Sequence, residues 1–440
     1  MSKPPVVEVV AECFCAGHPL VDDMVQRSSE TLGRRWRWLH PLAQRYATAF
    51  QGVRYPRRRD VTGFLLRDHE FSQERRIYAA ELRVERWIAP DQRMRPAEAA
   101  AHWEIPAITS IGALAEWLEV DTSDLEWFAD LRRLAGKGDP RLAHYHYTAA
   151  IKRSGAIRLI EAPKSRLKAV QRRILEQMLD RIPIHAAVHG FVRGRSIRTF
   201  IGPHVGKRVV LRMDVEDFFP SFSAARVQSF FRTAGYPESV ADLLGGLCTN
   251  AVPRSAWSLF HLDMGAAQLR EMADLYGRAH LPQGAPISPA LANLCAWRID
   301  RRLSGLASSA GAEYTRYADD LAFSGGEGFE QRVERFSLHV AAILLEEGFH
   351  TNHRKTRIMR RGVRQYLTGL VANDRVNIVR ADFDRLKATL NNCVRQGPAS
   401  QNREGHVDFR AHLLGRVGFV ETIHPEKGNR MRQMFEQIQW

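Results

Sequence analysis

The chain has 440 residues, 45% hydrophobic and 26% charged, which excludes a peptide or small scaffold and suits two to four globular domains. Its 64 Lys and Arg against 49 Asp and Glu leave a net charge of +15, an excess that predicts a polyanionic partner, nucleic acid ahead of an anionic membrane surface. The five cysteines (Cys13, Cys15, Cys248, Cys295, Cys393) form no CxxC pair, and neither a secretory start nor a run of about 18 apolar residues is present. No structural disulfide and a soluble, cytoplasmic protein are expected.

In chain order, residues 1–105 form a basic N-terminal extension rich in Arg and Trp, with a knot at Arg54, Tyr55, Arg57, Arg58 and Arg59. Phe71 to Trp87 is predicted as a helix stopped by Pro90. The extension is either a solvated helical appendage or an RNA-binding element using Arg57, Arg58 and Arg59. Two short helices follow between Ile108 and Leu134, with Thr122 and Ser123 at the second N-cap. Gly136, Gly138 and Pro140 mark a boundary.

Tyr145–Ala150 and Ala156–Ile160 predict a hairpin around Arg153, Ser154 and Gly155. Leu167, Val170, Ile174, Met178 and Ile182 recur at helical spacing, with Arg166, Lys168, Arg172 and Arg173 on the other side. That basic face is either a phosphate track or ordinary solvated surface. No internal repeat appears.

Three constellations carry chemistry. Val209, Leu211 and Met213 alternate with Val210 and Arg212 in a strand that delivers Asp214 next to the turn Phe218-Phe219-Pro220-Ser221. Leu281-Pro282-Gln283-Gly284 runs to Ser288-Pro289, with Ser288 suited to cap a helix carrying Leu291, Leu294, Cys295, Ile299 and Leu303. Gly284 would let a base or nucleotide approach the backbone. Tyr317-Ala318-Asp319-Asp320 lies between β-prone runs, so the two acids sit near a hairpin tip. Adjacent carboxylates repel, and a cation between Asp214 and this pair would compensate them. Three carboxylates on neighbouring strands suit Mg²⁺, and two ions roughly 3.5–4 Å apart would support nucleotidyl transfer.

The order Asp214…Phe219-Pro220-Ser221, Pro282-Gln283-Gly284…Ser288-Pro289, Tyr317-Ala318-Asp319-Asp320 resembles the palm motifs of a reverse transcriptase. His189-Gly190-Phe191, Gly194-Arg195-Ser196-Ile197 and Gln365-Tyr366-Leu367-Thr368-Gly369 are similar to bacterial retron-type enzymes, most of all the longer myxobacterial kind. Retron enzymes commonly carry Asn-Ala, two variable residues and His before the first palm strand; here Phe200-Ile201-Gly202-Pro203-His204 keeps only His204.

The resemblance implies an α+β right-hand polymerase: residues 106–208 as N-terminal helices and fingers, 209–375 as a ferredoxin-like palm with an interleaved fingers segment, and 376–440 as a short helical thumb. Asp214, Asp319, Asp320 and the backbone of Val215 would hold two Mg²⁺, or Mn²⁺ as substitute. Phe219 would be the steric gate, while Lys152, Arg158 and Gln283 would bind the nucleotide. Lys355 would protonate the pyrophosphate, and Gln365 to Val371 would form the primer grip. Phe329, Val333, Phe336, Val340 and Ile343 would be core behind the palm. Arg172, Arg173, Arg195 and His204 would join the RNA contacts.

The resemblance further implies a structured noncoding RNA as template and primer, priming from an RNA 2′-OH, dNTPs as substrates and a single-stranded DNA product (msDNA). It also implies an effector protein and anti-phage defence. The roughly 65 residues after Val376 are too few for an RNase H or endonuclease domain. Two alternatives stay open: another prokaryotic defence reverse transcriptase with different priming, and a non-catalytic RNA-binding scaffold.

Overall fold

The computed structural model describes residues 6–16, 19–53, 56–86, 93–134, 143–151, 157–257 and 266–440. Its elements in chain order begin with α1 (Val6–Cys15), α2 (Val21–Thr31), α3 (Leu39–Ala49), α4 (Arg58–Arg67), α5 (His69–Ile77), α6 (Ile111–Leu118) and α7 (Thr122–Ala129). Next come β1 (Tyr145–Ile151), β2 (Ile157–Pro163), α8 (Ser165–Gln177), α9 (Ile197–Ile201), β3 (Val209–Glu216), α10 (Ala224–Thr233), α11 (Glu238–Cys248), α12 (Arg254–Trp257) and α13 (Ala266–Tyr276). They are followed by α14 (Ser288–Cys295), α15 (Trp297–Ser309), β4 (Ala312–Tyr317), β5 (Asp320–Gly325), α16 (Glu327–Glu330), α17 (Val333–Glu346), β6 (His350–Thr351) and β7 (Arg357–Arg360). The chain closes with β8 (Tyr366–Leu367), β9 (Leu370–Val371), β10 (Asn377–Ile378), α18 (Arg380–Gln396), α19 (Phe409–Ile423) and α20 (Pro425–Glu436). Two compact units result, one from Met1–His144, Ser165–Arg181 and Ala224–Thr249, the other from Tyr145–Lys164, Ile182–Ser223 and Asn250–Trp440.

The first unit is helical. Val10, Phe14, Met24, Leu39, Leu42, Tyr46, Val61, Leu65 and Phe71 are buried together, giving the segment before residue 105 its own core; full burial of a large apolar side chain contributes about 1.5–3 kcal/mol. The helix expected over 71–87 is shorter. Asp68 caps α5 by accepting from the Phe71 amide, and the helix ends at Ile77, which is exposed, because the apolar stripe stops there; Leu82 is buried from a non-helical stretch. Arg54, Tyr55, Trp87, Pro90, Gly136, Gly138 and Pro140 lie outside the described residues.

Ser110 caps α6 through the Ala113 amide. The expected cap of α7 shifts by one residue: Thr122 is already helical and Asp121 stands at the cap without a side-chain bond. On α8, Leu167, Val170 and Ile174 are buried as the spacing predicts.

The second unit is α+β, the expected class. β1 and β2 form an antiparallel hairpin with Tyr145 opposite Pro163 and Ile151 opposite Ile157. The main sheet runs β4-β5-β3-β6, with β7 also paired to β3; every pairing is antiparallel. β3 is buried at nearly every position, as expected of a central strand covered on both faces. Phe336 of α17 meets Phe323 of β5 edge-on, and Phe329, Val333, Phe336 and Val340 are core as expected, with Leu344 rather than Ile343 completing the row.

The small sheet β10-β9-β8 shares a core with α18, α19 and α20, in which Phe200, Ile201, Leu367, Leu370, Leu390, Leu413 and Val417 are buried. The single helix expected after Ser288 is two, α14 and α15, separated at Ala296. Ser288 is the first helical residue instead of the cap; its hydroxyl donates to the Pro282 carbonyl at 2.7 Å and braces the loop.

Candidate active site

The β3–β5 register puts Asp214 directly opposite Asp320. The β4–β5 turn consists of Ala318 and Asp319, and Ala318 adopts φ +54°. Around it the backbone is cross-linked: the Val215 amide donates to the Asp319 carbonyl (2.9 Å), Arg316 N to Ala187 O (2.7 Å), and His189 N to Arg316 O (2.7 Å). The chain at Gly190 lies so close that a Cβ there would fall 2.8 Å from the Ala318 nitrogen.

Beneath the turn is a buried polar anchor. Arg316 donates from Nε and Nη2 to Asp300 Oδ1 and Oδ2, both at 2.7 Å, and from Nη1 to Asn293 Oδ1 (3.0 Å) and Ala318 O (3.2 Å). Tyr314 Oη also donates to Asp300 at 2.8 Å. Arg316, Asp300 and Asn293 are all buried, so the pair is viable only because its hydrogen-bonding groups are extensively partnered. Sequence reasoning missed all three. The available signal was a charged residue inside the β-prone run Tyr314-Thr315-Arg316-Tyr317.

The three acids have different surroundings. Asp214 is 3% exposed, and Lys355 Nζ donates to both of its oxygens at 2.9 Å. Asp320 Oδ1 accepts from Arg212 Nε (2.9 Å) and Nη2 (2.7 Å), and its Oδ2 from Thr368 (3.2 Å). The Asp319 carboxyl is pushed up to about 6 by burial, then by the charges of Asp214 and Asp320, with Lys355 pulling it partly back. Among the described residues no three His, Cys, Asp or Glu side chains already form a metal-holding group. The oxygen donors and mutual repulsion of Asp214 and Asp319 nevertheless suit a hard cation, and the Lys355 ammonium stands in as one. The Asp320 carboxylate is engaged by Arg212 and Thr368, which leaves Asp214 and Asp319 as the acids placed to meet a cation most directly.

Of the other expected site residues, Phe219 is half-buried and packed edge-on against Phe218 at 5.6 Å. Arg158 is exposed on β2, whereas Lys152 lies outside the described residues, as do Arg153, Ser154 and Gly155. The Gln283 carbonyl accepts from the Glu161 amide at 2.7 Å. Gly284 has φ +124°, and its Cβ would meet Glu161 O and Ile160 Cγ2 at 3.1 Å; the close approach expected of a nucleotide is made by β2 itself.

One expected RNA contact is corrected. His204 is fully buried, with Nδ1 2.6 Å from Ser324 Oγ and Nε2 2.7 Å from Thr315 Oγ1, so no RNA can reach it. Arg195 Nη1 donates to the carbonyls of His185 (3.0 Å), Ala186 (2.9 Å) and Val188, and that guanidinium holds a loop. In the helical unit Arg58 pairs with Glu12 at 2.7 Å and Glu8 at 3.6 Å, Arg59 with Asp60, and Arg173 with Glu119. Arg57 is half-buried and Arg172 is exposed.

Among the described residues no helix is long and apolar enough to cross a membrane. Residues 150–377 match the family described as reverse transcriptase (RNA-dependent DNA polymerase). The chain is 38% identical to the retron Mx65 reverse transcriptase of Myxococcus xanthus, over 82% of this chain and 79% of that protein. It is 37% identical to the retron Mx162 reverse transcriptase of the same organism, over 73% and 65%. To the retron Ec86 reverse transcriptase of Escherichia coli it is 32% identical, over 62% and 74%.

Proposed function

The chain belongs to the reverse transcriptase family, in its retron-type branch, and is an RNA-directed DNA polymerase; from that premise we propose that it copies a structured noncoding RNA into short single-stranded DNA, primed by a 2′-OH of that RNA. The observation that carries the catalytic reading is the buried Asp214 beside the Asp319 turn, with Lys355 on both Asp214 oxygens. β1–β2 serves as fingers, the main sheet with α15 and α17 as palm, β8–β9 as primer grip and α18–α20 as thumb. Anti-phage defence with an effector protein is the cellular role that fits this branch.

Asp214 and Asp319, with the Val215 backbone and with Asp320 behind them, would hold two Mg²⁺ ions, or Mn²⁺ in substitution. When bound, these ions make the primer hydroxyl a better nucleophile at neutral pH and offset charge on the departing pyrophosphate. The hydroxyl releases its proton to solvent as its oxygen bonds to the α-phosphorus of the dNTP and the bond from that phosphorus to pyrophosphate breaks. Arg158 offers the triphosphate a two-pronged donor, and Lys152 a point charge. Phe219 occupies the space a ribose 2′-OH would need and so selects deoxynucleotides. Lys355 is held by both Asp214 oxygens and acts as general acid toward the pyrophosphate. Arg212 and Thr368 fix Asp320, and Arg316 fixes the turn, so the acids are oriented before substrate arrives.

The test is to express the gene with its flanking DNA, isolate enzyme-bound nucleic acid and treat it with DNase, RNase and debranching enzyme, with Asp319→Ala alongside. A discrete short DNA branched from RNA, absent from Asp319→Ala, is the expected result. DNA without the branch would shift the reading to a reverse transcriptase with different priming, and identical material from Asp319→Ala would support a non-catalytic scaffold.

A further inference from the structure

A second buried ionic group lies away from the three acids. Glu161 of β2, three residues after Arg158, is 0% exposed, and His280 is 1% exposed. Glu161 Oε1 accepts from His280 Nε2 at 2.9 Å, and Oε2 accepts from Asn250 Nδ2 at 2.6 Å; the same Nδ2 lies 3.2 Å from Tyr147 Oη. His280 Nδ1 is 2.6 Å from the Arg278 carbonyl. A carbonyl can only accept, so Nδ1 carries a hydrogen toward Arg278, and Nε2 shares a hydrogen with the Glu161 carboxyl.

The segments around this pair are the ones that carry the proposed nucleotide contacts. The Glu161 amide donates to Gln283 O (2.7 Å), the Leu281 amide to Phe222 O (3.1 Å), and His280 and Asn250 exchange two backbone bonds of 3.0 and 2.9 Å. One side-chain pair therefore sits where the strand of Arg158, the loop of Gln283 and the turn of Phe219 are joined. We propose that Glu161 and His280 form a positioning clasp for the incoming dNTP, holding these three nucleotide-binding segments in one register. This rests on the nucleotide-binding roles proposed above and adds residues that touch no substrate themselves.

Both side chains of the clasp are buried, so removing one partner leaves the other's polar atoms buried without compensation. Facing His280 are Glu161 from the hairpin and Tyr276 from α13, whose ring lies edge-on at 5.4 Å, while Tyr147 of the hairpin meets Asn250 beside them. Asp217 and Arg158 act on this surrounding through Tyr276. Burial pushes both phenols up to about 12, so neither titrates near neutrality. For His280, burial favours the neutral ring, but the Glu161 charge and hydrogen bond and the Arg278 carbonyl outweigh it and hold the group above its ordinary 6.5. The clasp is complete below that value and is lost as pH rises through the raised one.

The experiment measures single-nucleotide extension of a DNA primer on an RNA template by the full-length enzyme with Mg²⁺, from pH 7 to 9. Wild type, His280→Gln and Glu161→Gln are compared. His280→Gln is expected to raise the dNTP KM about tenfold with the template–primer KM unchanged. Wild-type dNTP KM should climb with pH, and that climb should vanish in His280→Gln. Unchanged dNTP KM and pH profile in both variants, or a uniform rise in every KM together with a lowered melting temperature, overturns the clasp. Should neither variant fold, a wild-type dNTP KM that stays flat across the range overturns it equally. A wild type that incorporates no dNTP overturns the polymerase reading and the clasp with it, whereas active enzymes with equal dNTP KM overturn the clasp alone.

Discussion

The hydroxyl of Thr315 donates to the Phe200 carbonyl at 3.0 Å, so toward His204 it can only accept. That assigns the His204 proton to Nε2 and leaves Nδ1 to accept from Ser324. Burial, reinforced by Lys207 and His189, lowers this histidine to about 3. The native state thus holds the neutral ring, while the unfolded chain binds a proton below about 6.5. The group's contribution is complete above 6.5 and is lost as pH falls from there toward 3, at a slope of at most about 1.4 kcal/mol per pH unit. Thermal melting at pH 7, 6 and 5 should show wild type losing stability faster than His204→Gln. Parallel curves for the two proteins would contradict a buried neutral ring. No local pattern could have revealed this, because the partners of His204 lie 111 and 120 residues away in the chain.

The strand of Val209–Met213 and the hairpins at 145–160 and around Ala318-Asp319 followed from period-two alternation and turn residues. What did not follow is how neighbouring segments lock the turn. The resemblance drew attention to His189-Gly190-Phe191, but only the fold shows that Gly190 is glycine because the Ala318 nitrogen and the Tyr317 backbone occupy the space of a side chain. Those are backbone atoms, held further by Arg316 on Asp300 and by Arg195 on the 185–188 carbonyls, so they have little room to yield. Gly190→Ala is therefore expected to displace the Asp319 turn by a fraction of an ångström. Its kcat should fall on the order of a hundredfold while circular dichroism stays native. Wild-type turnover in that variant would show that the turn tolerates the shift. The helix limits at Ile77 and Ser288 were misjudged for a related reason, since exposure of Ile77 and the Ser288 bond to Pro282 are tertiary facts.

Across the molecule the +15 charge is a sum over basic groups in different situations. Arg58, Arg166 and Arg173 are partnered within the helical unit by Glu12, Asp124 and Glu119. Composition predicted a polyanion but could not separate such arginines from those facing solvent. On α8, Lys168 and Arg172 are exposed while Leu167, Val170 and Ile174 are buried, so the basic face is real and these two are its candidates for phosphate contact. Each phosphate neutralised in a complex releases condensed counterions, so log affinity falls with log salt by about 0.7 per contact on single strands and about 0.9 on duplex DNA. If α8 tracks phosphate, Lys168→Ala combined with Arg172→Ala should flatten the salt slope of RNA binding by about 1.4–1.8, with the melting temperature unchanged. Arg58→Ala should do the reverse, leaving the slope intact and lowering stability by about 1 kcal/mol, the upper end of the usual range for ion pairs near the surface, because Glu12 is partly buried. A slope that moves with Arg58 and not with the α8 pair would transfer the RNA contact to the basic N-terminal segment.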